Sequence, residues 1–150
     1  MKIEEKINES IKDSMKKKDN LRLDSLRAIK SAILIEKTKS GSKNQIDESL
    51  ILKILQKMVK QRNDSAKIYL EQKRDELANV EISQADIISE FLPAQLSESD
   101  LTEVIDNVIV DIGAESMKDM GKVISSVTEK VYGQAEGRLI AEIVKRKLMS

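Results

Sequence analysis

Few side chains in this sequence could carry covalent chemistry. There is no cysteine and no histidine, which excludes thiol nucleophiles, imidazole bases, disulfides and zinc sites of the usual Cys/His kind. Ser116, Ser125 and Ser126 lie among basic residues, but a serine becomes a nucleophile only with a base held in hydrogen-bond reach. Ser116 reads better as a helix cap, and Ser125 and Ser126 as the polar side of a helix. Glu115 and Asp119 share a helix face with the spacing of neighbours, as do several acids between residues 98 and 115. A magnesium or calcium site needs oxygen ligands converging from a loop or from several elements, so a solvated acidic face is expected and no metal. Gly133-x-x-x-Gly137 lacks the spacing and the Lys-Ser/Thr of a phosphate loop, and its surroundings are too polar for a transmembrane helix pair. No catalytic residue and no cofactor are expected.

Binding chemistry is better represented. Lys118, Lys122, Lys130 and Arg138 flank a turn with Gly133 and Gly137, Gly121 lies just upstream, and Lys145, Arg146 and Lys147 come close to the end. Glycines let a phosphate approach the backbone, and helix N-termini present free N–H groups. Lys118, Gly121, Lys122, Lys130, Gly133, Gly137, Arg138 and Lys145 are therefore the candidate RNA contacts. The competing reading is equally concrete: cations near a helix C-terminus suit its dipole, and a short inter-helix turn requires glycine in any case. In the first half, Arg27, Lys30, Lys60, Gln61 and Arg62 form a candidate partner groove. Arg62 falls near the continuation of an apolar face, where an unpaired charge is costly, so it should pair with an acid or face a groove.

Composition limits what can position these residues. The 150 residues are 40% apolar but only 2% aromatic, with one proline and five glycines, which predicts an aliphatic core inside an all-α fold. Net charge is zero but unevenly spread. Residues 1–45 hold 12 basic and 7 acidic side chains, residues 94–115 hold six acids and no base, and residues 116–150 hold seven bases and four acids. Two basic ends around an acidic middle could offer an anionic partner two contacts. Lys2 through Asn20 is charged throughout and lacks the apolar stretch of a signal peptide. No run reaches the roughly 18 apolar residues of a membrane span. A cytoplasmic protein without a membrane role is expected.

Periodicity predicts four helices, a proline joint and three shorter helices. Ile3, Ile7, Ile11 and Met15 form a stripe on a helix from about Lys2 to Lys18. Asp19 or Asn20 caps a second helix that buries Leu23, Leu26, Ile29 and Ile33 and ends near Thr38. Ser40-Gly41-Ser42-Lys43-Asn44 reads as a flexible loop. From Asp47 a helix of about 27 residues, about 40 Å long, carries Leu50, Ile51, Ile54, Leu55, Met58 and Val59, its face continued by Ala66, Tyr69 and Leu70. Asp75 caps a fourth helix with Leu77, Ala85, Ile88 and Phe91. Pro93 marks a boundary between residues 1–93, an N-terminal bundle, and residues 94–150, a small three-helix unit. There, Ser97 with Asp100 and Ser116 with Asp119 resemble capping boxes, and Gly113 is a left-handed terminator. Leu101, Val104, Ile105, Val108, Ile109 and Ile112 face inward, followed by Met117, Met120, Ile124, Val127 and Val131, then Leu139, Ile140, Ile143 and Val144.

Several segments together resemble one family. Leu26-Arg27-x-x-Lys30-x-Ala32 and Val59-Lys60-Gln61-Arg62-x-Asp64-Ser65 are similar to the N-terminal signatures of the GatB/YqeY family. Glu90-Phe91-Leu92-Pro93-Ala94-Gln95-Leu96-Ser97 resembles its interdomain segment, with Phe where Tyr is usual. Met117-Lys118-Asp119-Met120-Gly121-Lys122-Val123 and Gly133-Gln134-Ala135-Glu136-Gly137 resemble its C-terminal signature, departing at Ile124-Ser125 and at Glu136. The resemblance implies a helical protein of two subdomains, kinship with the tail domain of the B subunit of glutamyl/aspartyl-tRNA amidotransferase, and tRNA as a partner, with an amidotransferase or another translation component beside it. It also implies the amidotransferase-like label, carbon–nitrogen ligase activity with glutamine as nitrogen donor. The residues do not support autonomous catalysis of that kind, because neither an activated nucleophile nor a phosphate site for ATP is visible. A tRNA-binding accessory module is the leading expectation, with no DNA partner. A helical protein–protein adaptor without a nucleic-acid role is the alternative.

Overall fold

The computed structural model describes residues 2–40 and 46–149 and is all-α, with no strand among the described residues. Of the expected loop Ser40-Gly41-Ser42-Lys43-Asn44, only Ser40 falls within the described residues, where it ends a helix. The chain divides into two compact units, Met1–Leu92 and Pro93–Ser150, each closed around its own aliphatic core.

The first unit consists of two helical hairpins. In one, α1 (Ile3–Lys17) and α2 (Asn20–Ser40) are joined by Lys18 and Asp19. Lys18 ends α1 in the left-handed conformation at φ 56°, and the Asp19 carboxylate accepts the Arg22 backbone N–H at 3.2 Å, capping α2. Lys37 meets Glu4 at 2.8 Å near the far ends, so the two helices run antiparallel. Leu23, Leu26, Ile29 and Ile33 are all buried. The α1 stripe holds only in part, since Ile3 and Ile7 are buried and Ile11 half-buried while Met15 is 55% exposed and Ser14 takes its inward place. A four-residue repeat advances about 40° per step on a helix of 3.6 residues per turn, so its fourth member has rotated about 120° off the interface. The Ser14 hydroxyl is buried there without a hydrogen-bond partner.

The second hairpin joins α3 (Glu48–Glu71) to α4 (Asp75–Ser89). At 24 residues α3 is slightly shorter than expected. Its proximal half adds Ile51, Leu52, Leu55 and Met58 to the core. Farther along, Ala66, Ala78 and Ala85 are buried, letting the two helices approach closely, while Leu70 and Leu77 stay 49% and 43% exposed. Those two were expected inside; near the hairpin tip there is no third layer to cover a large side chain. Asp75 is the first helical residue, one place beyond the cap position, which Arg74 occupies without a side-chain bond. Where α4 ends, Arg22 grips Glu90 with two bonds of 2.7 and 3.0 Å, and that partner raises the guanidinium pKa. Ile88, with Phe91 and Leu92 packed around it, closes the core.

The second unit contains α5 (Glu98–Ile112), a single 3-10 turn (Met117–Asp119), α6 (Met120–Lys130) and α7 (Gly137–Met149). The Ser97 hydroxyl accepts the Asp100 N–H at 3.1 Å, and Gly113 ends α5 at φ 73°. Replacing Ser97 with Ala should lower stability by about 1 kcal/mol in urea unfolding. The core joins Leu101, Ile105 and Val108 to Val123, Val127 and Val131 of the α6 segment and to Ile140, Ile143, Val144 and Leu148 of α7. Met117, expected inside, is 42% exposed because it belongs to the 3-10 turn; α6 starts three residues later and its innermost contact is Val123.

Candidate nucleic-acid interface

Building the second unit consumes much of its charge. The acidic helix α5 lies against the basic C-terminal helices, and its carboxylates take three of their cations. Arg146 reaches Glu98 at 3.3 Å, Lys147 reaches Asp106 at 3.3 Å, and Lys130 stands 3.8 Å from Asp111. Arg138 faces Glu142 one turn along its own helix at 3.5 Å. The C-terminal basic end and the acidic middle are thus partly an internal device. The side chains of Lys118, Lys122 and Lys145 have no hydrogen bond or ion pair among the described residues.

Position separates the candidates further. The chain turns back after Val131, and α7 packs on α6 and on the 3-10 turn before it, so α7 runs back along α6. Lys118, Gly121 and Lys122 therefore gather at one end of this helix pair, and Lys145 lies in the half of α7 that returns toward that end. Lys130, Gly133, Gly137 and Arg138 gather at the other end. All are exposed except Gly133, which is half-buried. The eight residues make two clusters rather than one point.

At the first cluster, Ser116 and Asp119 act as caps. The Ser116 hydroxyl accepts the Lys118 N–H at 3.4 Å, and the Asp119 carboxylate accepts the Glu115 N–H at 3.0 Å. That second bond holds the Asp119 carboxyl below the usual carboxylate range, with smaller help from Lys122 and Lys118. Its pKa is lower folded than unfolded, so its support for the turn is present above the ordinary range and fades as pH falls through the lowered value.

At the second cluster the glycine turn is braced by the segment after Pro93. The Gln95 side-chain amide donates to the Gly133 carbonyl at 2.8 Å, the Leu96 N–H to the Gln134 carbonyl at 2.8 Å, and the Gln134 side-chain amide to the Ala94 carbonyl at 3.3 Å. Gln95 and Gln134 had not been singled out from the sequence, although each sits in a segment that carries the resemblance. Tyr132, also passed over, stands 50% exposed beside this turn.

The glycines fall into two kinds. Gly133 has φ 72°, a conformation that strains any residue with a Cβ. Gly121 and Gly137 have no such φ, and a Cβ on either would meet nothing within 4 Å. Gly133→Ala should therefore cost about 1–2 kcal/mol, whereas Gly121→Ala should stabilise by about 0.5–1 kcal/mol, as should Gly137→Ala. Thermal unfolding of the three variants checks both signs. The fold itself gives no reason for glycine at 121 or 137.

The first unit does not assemble its five candidates into one groove. Lys30 lines a cleft between α1 and α2, with Arg27 three residues along on the same helix face. Lys60 pairs with Asp64 at 2.8 Å, and Gln61 is exposed. The half-buried Arg62 finds no acid among the described residues; it donates to the Gln84 amide oxygen at 3.2 Å and the Met58 carbonyl at 3.4 Å. The expected acidic partner is replaced by neutral acceptors, of which Gln84 ties α3 to α4. Among the described residues no group of acidic side chains is placed to hold a metal ion, and no helix is long and apolar enough to cross a membrane.

With two helical units in this order, the chain belongs to the Yqey-like protein family, whose model matches residues 4–148. It is similar to the protein named "Altered inheritance of mitochondria protein 41, mitochondrial" of Clavispora lusitaniae, at 29% identity over 122 residues, 79% of this chain and 70% of that protein. The protein of the same name from Candida glabrata is 31% identical over 86 residues, and that of Kluyveromyces lactis 28% over 88; each match spans 47% of the relative's length.

Proposed function

We propose that the chain is a tRNA-binding accessory module of the cytoplasm, without autonomous catalysis, whose second unit holds the RNA backbone. The observation that supports this is that Lys118, Lys122 and Lys145 make no ion pair among the described residues, while α5 takes their neighbours Lys130, Arg146 and Lys147. Gly121 leaves the backbone open between the first two, and Tyr132 offers a stacking face at the other end of the helix pair. The resemblance of the C-terminal segments to the amidotransferase tail supports tRNA over other RNAs. An amidotransferase or another translation component would be the partner that acts on the bound tRNA. A test is direct, because two tyrosines and no tryptophan leave little protein absorbance. Purified from cells at low salt without nuclease, the chain should carry RNA of tRNA size, seen as strong absorbance at 260 nm. Preparations free of RNA under those conditions count against the proposal.

A further inference from the structure

The first unit carries a surface that RNA binding leaves unused. Along α2, Arg27, Lys30, Leu34 and Lys37 are spaced by three, four and three residues and share one face. Leu34 is 64% exposed and its neighbour Ile35 57%. Beside Leu34 a cleft of about 100 Å³ opens between α1 and α2, floored by Ile7, Ile33 and Leu34 and rimmed by Glu4, Lys30 and Lys37. Small-molecule sites start at roughly 300 Å³, so this cleft suits a single aliphatic side chain. The Lys37–Glu4 ion pair borders it. The side chains of Arg27 and Lys30 have no hydrogen bond or ion pair among the described residues.

We propose that this face of α1 and α2 docks an amphipathic helix of a partner protein, with an aliphatic anchor in the cleft and carboxylates facing Arg27 and Lys30. The chemistry selects that occupant in three steps. An exposed leucine on the edge of an aliphatic cleft gives nothing to a phosphate, and the cleft is too small for a base, so RNA is disfavoured. Two antiparallel helices form the shallow trough that a third helix fills with residues spaced i, i+3, i+4 and i+7. Lys30 on the rim and Arg27 one turn before it on α2, in a segment with 12 basic and 7 acidic side chains over residues 1–45, call for acids on the incoming helix. The surface is built from residues of the first unit alone, so either proposal can fail alone.

The probe is a fluorescein-labelled peptide of about 15 residues, bridged to keep it helical because free helices of that length are marginal. Leucines line one edge and glutamates the adjoining edge. Titrated with the full chain, it should bind saturably and shift the methyl resonances of Ile7 and Ile33. Leu34→Ser should weaken it by about tenfold, as should the pair Arg27→Glu and Lys30→Glu, while Lys122→Glu leaves it unchanged. Leu34, Arg27 and Lys30 are exposed, so these variants should keep the parent helical circular dichroism. Absence of saturable binding, equal binding of a peptide with lysines in place of glutamates, or indifference to Leu34→Ser would overturn the proposal. Shifts of the same methyls on adding tRNA would reassign the face to RNA and overturn it as well.

Discussion

Changing Lys118, Lys122 and Lys145 together to Glu should weaken binding of folded tRNA by at least about 100-fold, equivalent to about 2.8 kcal/mol. With one phosphate contact per lysine, as proposed, the slope of log affinity against log salt should fall by about three. The reversals Lys130→Glu and Arg138→Glu should matter much less. Those cations already share their charge with Asp111 and Glu142, whereas the three lysines have no ion pair among the described residues. Fluorescence anisotropy with a labelled transcript, repeated across salt concentrations, separates the two clusters. A larger loss from the Lys130 and Arg138 pair would move the site to the glycine turn. Gly121→Ala sharpens the point, since a more stable variant that binds RNA less well marks a glycine kept for access to the backbone.

The second large effect concerns stability. Ile105→Ala removes a side chain with no exposed surface from the α5–α6–α7 core, a change that costs about 2–5 kcal/mol. A unit of about 60 residues buries only about 60% of the surface its unfolded chain exposes and has little stability to spare. Hydrogen exchange of the variant should therefore show loss of protection across α5, α6 and α7. Protection should persist in α1 to α4, which close around a separate set of residues. Uniform loss through both units would mean that they fold as one. Because the three lysines proposed to hold RNA sit on α7 and on the segment opening α6, the same variant should also lose tRNA binding near its melting temperature.

What the sequence reveals, and where it stops, follows from the range of the interactions concerned. Helix existence and the central core positions depend on local periodicity, and Leu26, Ile29, Leu55, Leu101 and Ile143 all lie inside as spacing predicts. The misses sit where tertiary context decides. Met15 leaves the interface because a four-residue repeat drifts around the helix. Leu70 and Leu77 are exposed where small alanines make the contact between the helices of the second hairpin. Met117 belongs to a 3-10 turn that delays the start of α6.

The candidate site was legible as a composition and not as a geometry. Periodicity cannot say which cation each carboxylate takes, and the pairs Lys130–Asp111 and Arg138–Glu142 reduce the five candidate cations to three lysines with no ion pair among the described residues. Nor does it reveal that Gln95 and Gln134 brace the glycine turn across 38 and 40 residues of sequence. That bracing gives the turn a structural duty, so Gly133 is explained by its backbone and needs no ligand. Arg62 is likewise accounted for by Gln84 and Met58, which removes the feature that had pointed to a groove along the long helix. The protein-docking chemistry that remains in the first unit is on α2, around Leu34.

The most direct measurement is a titration of folded tRNA with the full chain from about 50 mM to about 200 mM salt, the range over which phosphate contacts dominate. Saturable binding is predicted, with a log–log slope of about −3 or steeper that collapses when Lys118, Lys122 and Lys145 are changed to Glu. No binding at the lowest salt, or identical isotherms for the parent and the charge-reversed chain, would contradict it.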